Sequence, residues 1–463
     1  MAGEKILATG LVKDEEVDWD RDPRNSRTWS TRKKWSATIA SCYMSSLISV
    51  AASAYSQAVD GIQQDLHSSY LLTVSGISFF TFTVAIFPII LAPLGERFGR
   101  QPVYLITFAL FFLFFLPNAL AQNIQTVLIS RFISGAVGSA GSTMVGGTLS
   151  DIWAPEQRQI PMSLFALSAL LGTPMGLIGF TWAGGSISWR WIFWVLLMLA
   201  VPSFLAIALF FRHESLTKEM RVRLRQKSTS SQHDSFKERV LIPMLRPLFF
   251  LATEPITFVL SLWIAFAWGT LYLFLESIPL VFEPYGFTHE HMSRGLSSVG
   301  IGIGALIGFG VHMLVLRYRS TITRPEQRLP EACVGALLFS FGFFIFAWTA
   351  KPDKIHWIVP QLGTSVIMIG LYMVYICIFD YLADCYGSYT SSATAAQSFL
   401  RNILATAFAL IAKRMYDTLS FPWASSLLGF CALILAFAPF LLLWKGRFLR
   451  ERSPFASNQR GSI

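Results

Sequence analysis

Charge is what this sequence has least of. Only 14% of its 463 residues are Asp, Glu, Lys or Arg, where a soluble globular domain carries about 25%. A water-soluble chain of this length needs more charge than that to cover its surface, so a soluble globular protein is excluded. The chain also lacks a Walker sequence. Its Gly300-Ile301-Gly302-Ile303-Gly304 string lies inside an apolar run with no strand before it, so it is not a nucleotide loop and ATP is not the expected energy source. The five cysteines (Cys42, Cys333, Cys377, Cys385 and Cys431) have no metal-ligand spacing, and four lie inside apolar runs. No disulfide framework, metal site or cofactor is expected. A secretory signal is missing as well, because residues 1–36 are polar. Asp14, Glu15, Glu16, Asp18, Asp20 and Asp22 speak against a mitochondrial presequence, which leaves the first apolar run as the expected targeting signal.

What is present is apolar and long. Hydrophobic residues make up 53% of the chain and include 40 Phe and 14 Trp, a composition suited to lipid-facing helices and interfacial belts. They fall in blocks of about 20, the number that spans about 30 Å of hydrocarbon at 1.5 Å per residue. The fold class expected is therefore an all-α integral membrane protein. Its twelve spans are read at 37–59, 72–94, 103–121, 127–150, 161–184, 190–211, 250–281, 294–316, 331–349, 357–380, 391–412 and 422–444. In the seventh, Thr253-Glu254-Pro255 is expected at the membrane surface and Pro279 is expected to break the far end. The stretch 212–249, rich in Arg, Lys and Ser, divides the spans six and six. The domains expected are a polar tail (1–36), a six-helix bundle (37–211), a basic linker (212–249), a second bundle (250–444) and a C-terminal tail (445–463).

The net charge of +10 sits in loops between apolar blocks, so it reads as topology and not as nucleic-acid binding. With the N-terminus inside, 29 of the 37 Lys and Arg fall in inner segments and 6 in outer ones. Arg131 and Arg401 lie within spans. That asymmetry predicts both termini in the cytoplasm, with the plasma membrane as the expected location and a monomer as the expected unit.

Motifs carry the reading further. Two six-helix halves around a basic linker suggest homologous repeats with a binding site near the midplane. After the second span comes Ala92-Pro93-Leu94-Gly95-Glu96-Arg97-Phe98-Gly99-Arg100-Gln101-Pro102. This resembles the signature loop of the major facilitator superfamily, with Glu96, Arg97, Gly99 and Arg100 at the characteristic positions and Ala92 in place of the first glycine. Gly99 suits a tight turn, and the acid and arginines suit charge-assisted contacts that gate the cytoplasmic side. Leu128-Ile129-Ser130-Arg131-Phe132-Ile133-Ser134-Gly135, Asp151-Ile152-Trp153, Trp189-Arg190-Trp191, Phe274-Leu275-Glu276-Ser277-Ile278-Pro279 and Asp22-Pro23-Arg24-Asn25-Ser26-Arg27-Thr28-Trp29-Ser30 extend the likeness. Together they are similar to the fungal 12-helix drug:proton antiporters, which export drugs and endogenous metabolites. In the fifth span the Gly and Pro of Gly172-Thr173-Pro174-Met175-Gly176 are rearranged relative to that group's antiporter motif.

The resemblance implies the two-halved fold of that superfamily, alternating access, and a cavity lined by spans 1, 4, 7 and 10. It implies a latch in which Arg100 meets Asp151 and Glu96 faces the start of span 11, intact when the outside is open and broken when the inside opens. Charges within spans mark the expected pathway for substrate and protons, because each costs at least about 2.5 kcal/mol unless paired or hydrated. Arg131 and Glu276 are expected to meet across the cavity at similar depth or to snorkel to the outer interface. Arg401 either faces the cavity or anchors to carbonyls. Trp268, Tyr272, Tyr372 and Tyr375, with Tyr43, Ser46, Ser49 and Ser53, are candidate cavity walls. Gly300, Gly304 and Gly308 are expected to let helices approach closely.

The function expected is proton-coupled secondary transport of a small organic metabolite, as an exporter of an organic acid or secondary metabolite. Multidrug or polyamine efflux is the alternative within the class. A transporter-like nutrient sensor is the alternative outside it, with tails of about 36 and 19 residues that are short for signalling. A membrane enzyme would need clustered ligands or acids. The histidines, at 67, 213, 233, 289, 291, 312 and 356, are dispersed.

Overall fold

The structure, a computed structural model, describes residues 26–154, 157–181, 187–210, 242–287, 294–318, 324–386 and 389–457. Among these residues every regular element is helical. Ten helical runs are long and apolar enough to cross a bilayer, and two features raise that number to twelve. The run Thr390–Arg452 has 63 residues, about 95 Å of helix, or about three times the hydrocarbon thickness. It breaks at Ser420, where φ is 61° and ψ is 160°, and so holds two crossings. Ile124–Ile152 is the other case. Its 29 residues are rich in Gly, Ser and Thr, which lowers its apolarity without shortening it.

In chain order the crossings are α1 (Thr31–Asp65), α2 (Tyr70–Phe98), α3 (Arg100–Ala119), α4 (Ile124–Ile152), α5 (Gln159–Gly179), α6 (Arg190–Phe210), α7 (Pro255–Phe282), α8 (Val299–Tyr318), α9 (Leu329–Thr349), α10 (Ile358–Tyr386), α11 (390–419) and α12 (421–452). Residues 26–30 lie at one end of the bundle, here the tail side. The opposite end is the far side.

Several boundaries follow local chemistry. Ser69 accepts from Leu72 N at 3.4 Å and Asn123 from Thr126 N at 2.8 Å, capping α2 and α4. A short helix, Ile242–Thr253, stops at Glu254, and Pro255 starts α7, a position that suits proline because it needs no N–H donor. Two expectations are corrected. Pro279 does not end α7, which continues to Phe282. α1 does not end at 59 but runs through a 3-10 turn at Tyr55–Ala58 to Asp65, because Val59 and Ile62 remain buried.

The buried apolar side chains form two clusters. One draws on residues 29–207 with Ala409, the other on residues 250–456 with Ala166, Leu167, Ala169 and Leu170. The halves meet along α2 with α11 and α5 with α8. At the first seam Ser78 Oγ donates to Thr406 O at 3.1 Å, and the Thr81 and Thr406 hydroxyls lie 2.8 Å apart. Within the second half, Gly300, Gly304 and Gly308 face α10. A Cβ on Gly304 would come 2.3 Å from the Ser365 carbonyl and one on Gly308 2.9 Å from Tyr372 Cβ. Gly304→Val must therefore push α8 off α10. Overpacking of this kind costs about 1–3 kcal/mol, so the variant should melt several degrees lower in detergent. An unchanged melting temperature would contradict the close approach.

Candidate functional site: a tail-side cavity and a far-side closure

Two cavities lie between the halves. The larger, about 450 Å³, is walled by α2, the start of α3, α4, α5, α10 and α11, and reaches their tail-side ends at Asp151, Arg158, Ala383 and Thr390. The smaller, about 300 Å³, lies at the far side between α1, α2, α7, α11 and Arg294. The expectation that spans 1, 4, 7 and 10 share one cavity is therefore corrected. α4 and α10 line the tail-side cavity, while α1 and α7 line the far-side one. The halves part at the tail side and close at the far side.

The far-side closure is polar. Tyr70, the first residue of α2, donates its hydroxyl to Glu276 Oε2 on α7 at 2.8 Å. Arg294 Nη1 lies 2.7 Å from Asp60 Oδ2 of α1. Lys413 Nζ of α11 stands 4.2 Å from the Tyr70 ring centroid. All three contacts cross between the halves. Glu276 is 9% exposed, and its Oε1 has no hydrogen-bond partner.

Arg131 does not meet Glu276, which corrects the expected pairing. It is fully buried in the first half, sandwiched at 4.6 Å from the Tyr55 ring and 4.3 Å from that of Phe80. Its Nε donates to Gly76 O at 3.2 Å and its Nη1 to Ala51 O at 3.0 Å. Gly76 leaves the space, since a Cβ there would strike the Tyr55 hydroxyl at 2.4 Å. Two carbonyls within its own half, and no carboxylate across the seam, bind the guanidinium, whose Nη2 has no hydrogen-bond partner. Arg131 lines neither cavity.

Arg401 is on the wall of the tail-side cavity. Nη1 donates to the Tyr375 hydroxyl at 3.1 Å and Nη2 to Ser398 Oγ at 3.4 Å, and the Trp268 ring lies 4.3 Å away. Its Nε has no partner. Tyr375 and Phe379 share the wall with it. Trp268 sits behind Arg401, and Tyr272 packs against both apolar clusters. Tyr372 is not on the wall. Its hydroxyl donates to Ser163 O of α5 at 2.9 Å. Tyr43 is also elsewhere, bonded to Leu199 O of α6 at 2.8 Å. Ser49 and Ser53 lie in the α1–α5 contact, where Gly172 and Gly176 admit them.

The signature loop places Arg100. Gly99 has a φ of 89°, a conformation glycine adopts without penalty, and it turns α2 sharply into α3. Arg100 then lies over Gly147, where a Cβ would meet Nη1 at 2.8 Å. Arg100 donates to Thr148 Oγ1 at 3.0 Å and pairs with Asp151 at 2.9 Å. The expectation that opening of this side breaks the pair is corrected. The pair joins α3 to α4 within one half and stands intact on the wall of the open cavity. The backbone of Glu96 and Arg97 belongs to α2, but their side chains lie outside the described residues, as do Asp22–Asn25. A second clamp was missed. Arg328 Nη1 lies 2.7 Å from Asp380 and Nε 2.6 Å from Asp384, tying the start of α9 to α10.

Asp60, Tyr70, Arg294 and Lys413 were also missed as site residues, because they fall at or just past span ends, where polar residues read as loop. Asp60 lies one residue beyond the expected end of the first span. The signal was there in Val59 and Ile62, whose three-residue spacing continues the helix.

A helical bundle with a cavity between two halves, open at one end and interlocked at the other, is the architecture of an alternating-access membrane transporter. The Major Facilitator Superfamily model matches residues 35–410, and the chain belongs to that family, whose members are transporters and not enzymes. It is 33% identical to the major facilitator superfamily multidrug transporter mdrA of Aspergillus fumigatus, over 96% of this chain and 76% of that protein. It is 33% identical to the efflux pump atB of Aspergillus terreus, over 80% and 82%. It is 29% identical to fluconazole resistance protein 1 of Saccharomyces cerevisiae, over 95% and 84%. Among solved structures, the proton:xylose symporter XylE aligns with a TM-score of 0.63 at 17% identity, covering 90% of this chain and 96% of that one. The fold is thus that of the superfamily.

Arg131 provides a direct check on this geometry. Its two bonds to carbonyls are charge-assisted, each contributing about 1.5–3 kcal/mol. Arg131→Met should lower the melting temperature and the folded yield, with Arg131→Lys between it and the parent. A variant that folds normally but fails to transport would instead mark Arg131 as a substrate or coupling residue.

Proposed function

We propose that the chain is a proton-coupled exporter of an amphipathic organic acid or secondary metabolite, working as a monomer in the plasma membrane with its tail side in the cytoplasm. The observation that carries the coupling is Glu276. It is a buried carboxylate at the contact between the halves, with one oxygen bound by Tyr70 and the other unbonded. When ionised, Glu276 holds Tyr70 and favours far-side closure. A proton entering from the far-side pocket removes that charge, weakens the acceptor and favours opening. Coupling to export requires that the proton leave Glu276 toward the tail side as the far side closes again on the ionised carboxylate, so that inward proton movement is exchanged for outward substrate; the absence of an ATP motif in the sequence fits this energy source.

The substrate class follows from the tail-side cavity. Its wall combines Arg401 and Arg158 with Phe165, Tyr375, Phe379 and Met162. Arginines on this wall beside aromatic faces suit a carboxylate on an apolar body. Efflux is supported by the likeness to mdrA, a multidrug transporter, and atB, an efflux pump. Broad drug export is the second reading, favoured by the apolar residues of that wall and by the likeness to mdrA.

The substrate is sought with a competition panel on expressing cells, comparing small dicarboxylates, neutral lipophilic metabolites and polyamines. Inhibition by acids is expected, and transport of polyamines that acids do not inhibit would overturn the acid reading. With the transported compound in vesicles, Glu276→Gln should abolish gradient-driven accumulation while sparing exchange. Accumulation that ignores a collapsed proton gradient would refute proton coupling.

A further inference from the structure

A second buried titratable pair stands apart from both cavities. Gly300, Gly304 and Gly308 form a four-residue stripe on the face of α8 turned to α10, and His312 is its next step. His312 Nδ1 lies 2.6 Å from Glu331 Oε1 on α9, with both side chains only 2% exposed. The Tyr372 ring of α10 stands edge-on to the imidazole at 6.2 Å, and the Tyr372 hydroxyl reaches across the seam to Ser163 O of α5 at 2.9 Å. His312 Nε2 has no hydrogen-bond partner.

We propose that His312 and Glu331 form a second proton-binding site, near the tail side, separate from Glu276 at the far side. Holding α8 to α9 needs only a neutral amide or apolar contact. An imidazole and a carboxylate at this distance instead share a transferable proton and can take up or give up another. The tail-side cavity is the nearby source of water, and Asp380, which pairs with Arg328 at 2.7 Å, lines it. The step is proton addition alone: a proton from that water reaches the pair, no heavy-atom bond breaks, and the return step releases it to the same water. The charged groups around the pair are of both signs. Arg328, just before α9, is bound by both Asp380 and Asp384 of α10, and Arg317 near the end of α8, Arg158 before α5, and the Arg450–Glu326 pair between α12 and the loop before α9 complete the charged surroundings. A change of charge at His312 acts on Tyr372 and so on the Tyr372–Ser163 hydrogen bond between the halves. The pair is thereby placed to report tail-side acidity to the seam.

This deepens the proton-coupled reading without depending on Glu276, and its test needs no substrate. The protein is labelled with ring-15N histidine in lipid nanodiscs, and the His312 signal is assigned by its loss in His312→Gln. That signal is expected to change its protonation form with the pH of the buffer. Glu331→Gln should alter that response, and Glu331→Asp, which keeps the carboxylate, should retain it should the amide variant fail to fold. Glu276→Gln should leave it in place, so the two proton sites stand or fall separately. A His312 signal fixed in one protonation form at every pH at which the protein stays folded would overturn the proposal, as would a response indifferent to the Glu331 charge.

Discussion

In hydrocarbon an ionised side chain costs at least about 2.5 kcal/mol unless it is paired or hydrated, and where each such charge finds its partners decides how these helices stand. Arg131 finds two carbonyls and two aromatic faces within the first half and so pins α4 to α1 and α2. Arg328 finds two carboxylates within the second half and pins α9 to α10. Glu276 finds its partner, Tyr70, only across the seam. The first two charges make each half rigid. The third makes the join between the halves conditional on the charge of one carboxylate.

The same logic separates the two ends. The tail-side ion pairs described, Arg100–Asp151, Arg328 with its two aspartates, and Arg450–Glu326, each stay within one half. They survive when the halves part. At the far side Asp60–Arg294 and Tyr70–Glu276 join the halves, and they must break for that side to open. Motion between two such states needs no helix to unfold. Opposed polar contacts are exchanged for water while the two apolar clusters remain packed.

Much of this was legible in the sequence. Apolar block length carries the crossings because the bilayer fixes it. The Gly99 turn was legible because the signature loop is short and local, and the Arg100–Asp151 contact because the resemblance to the superfamily implies it. What was not legible depends on which face a residue presents and how deep it lies. Arg131 and Glu276 have opposite charge and similar depth, yet two nearer carbonyls outcompete the carboxylate. Pro279 was read as a breaker, but a proline inside a membrane helix is tolerated where neighbours re-satisfy the freed carbonyl. His312 was passed over as one of several scattered histidines, although its four-residue register with Gly308 places it on the packed face.

The central claim is that the far-side contacts between the halves are the closure that transport must break. It is tested by placing cysteines at Asp60 and Arg294 in a background in which the five native cysteines are replaced. Oxidative cross-linking of the pair should stop transport in vesicles, and reduction should restore it, while each single cysteine stays insensitive to oxidant. Transport that continues through an intact cross-link would contradict the account.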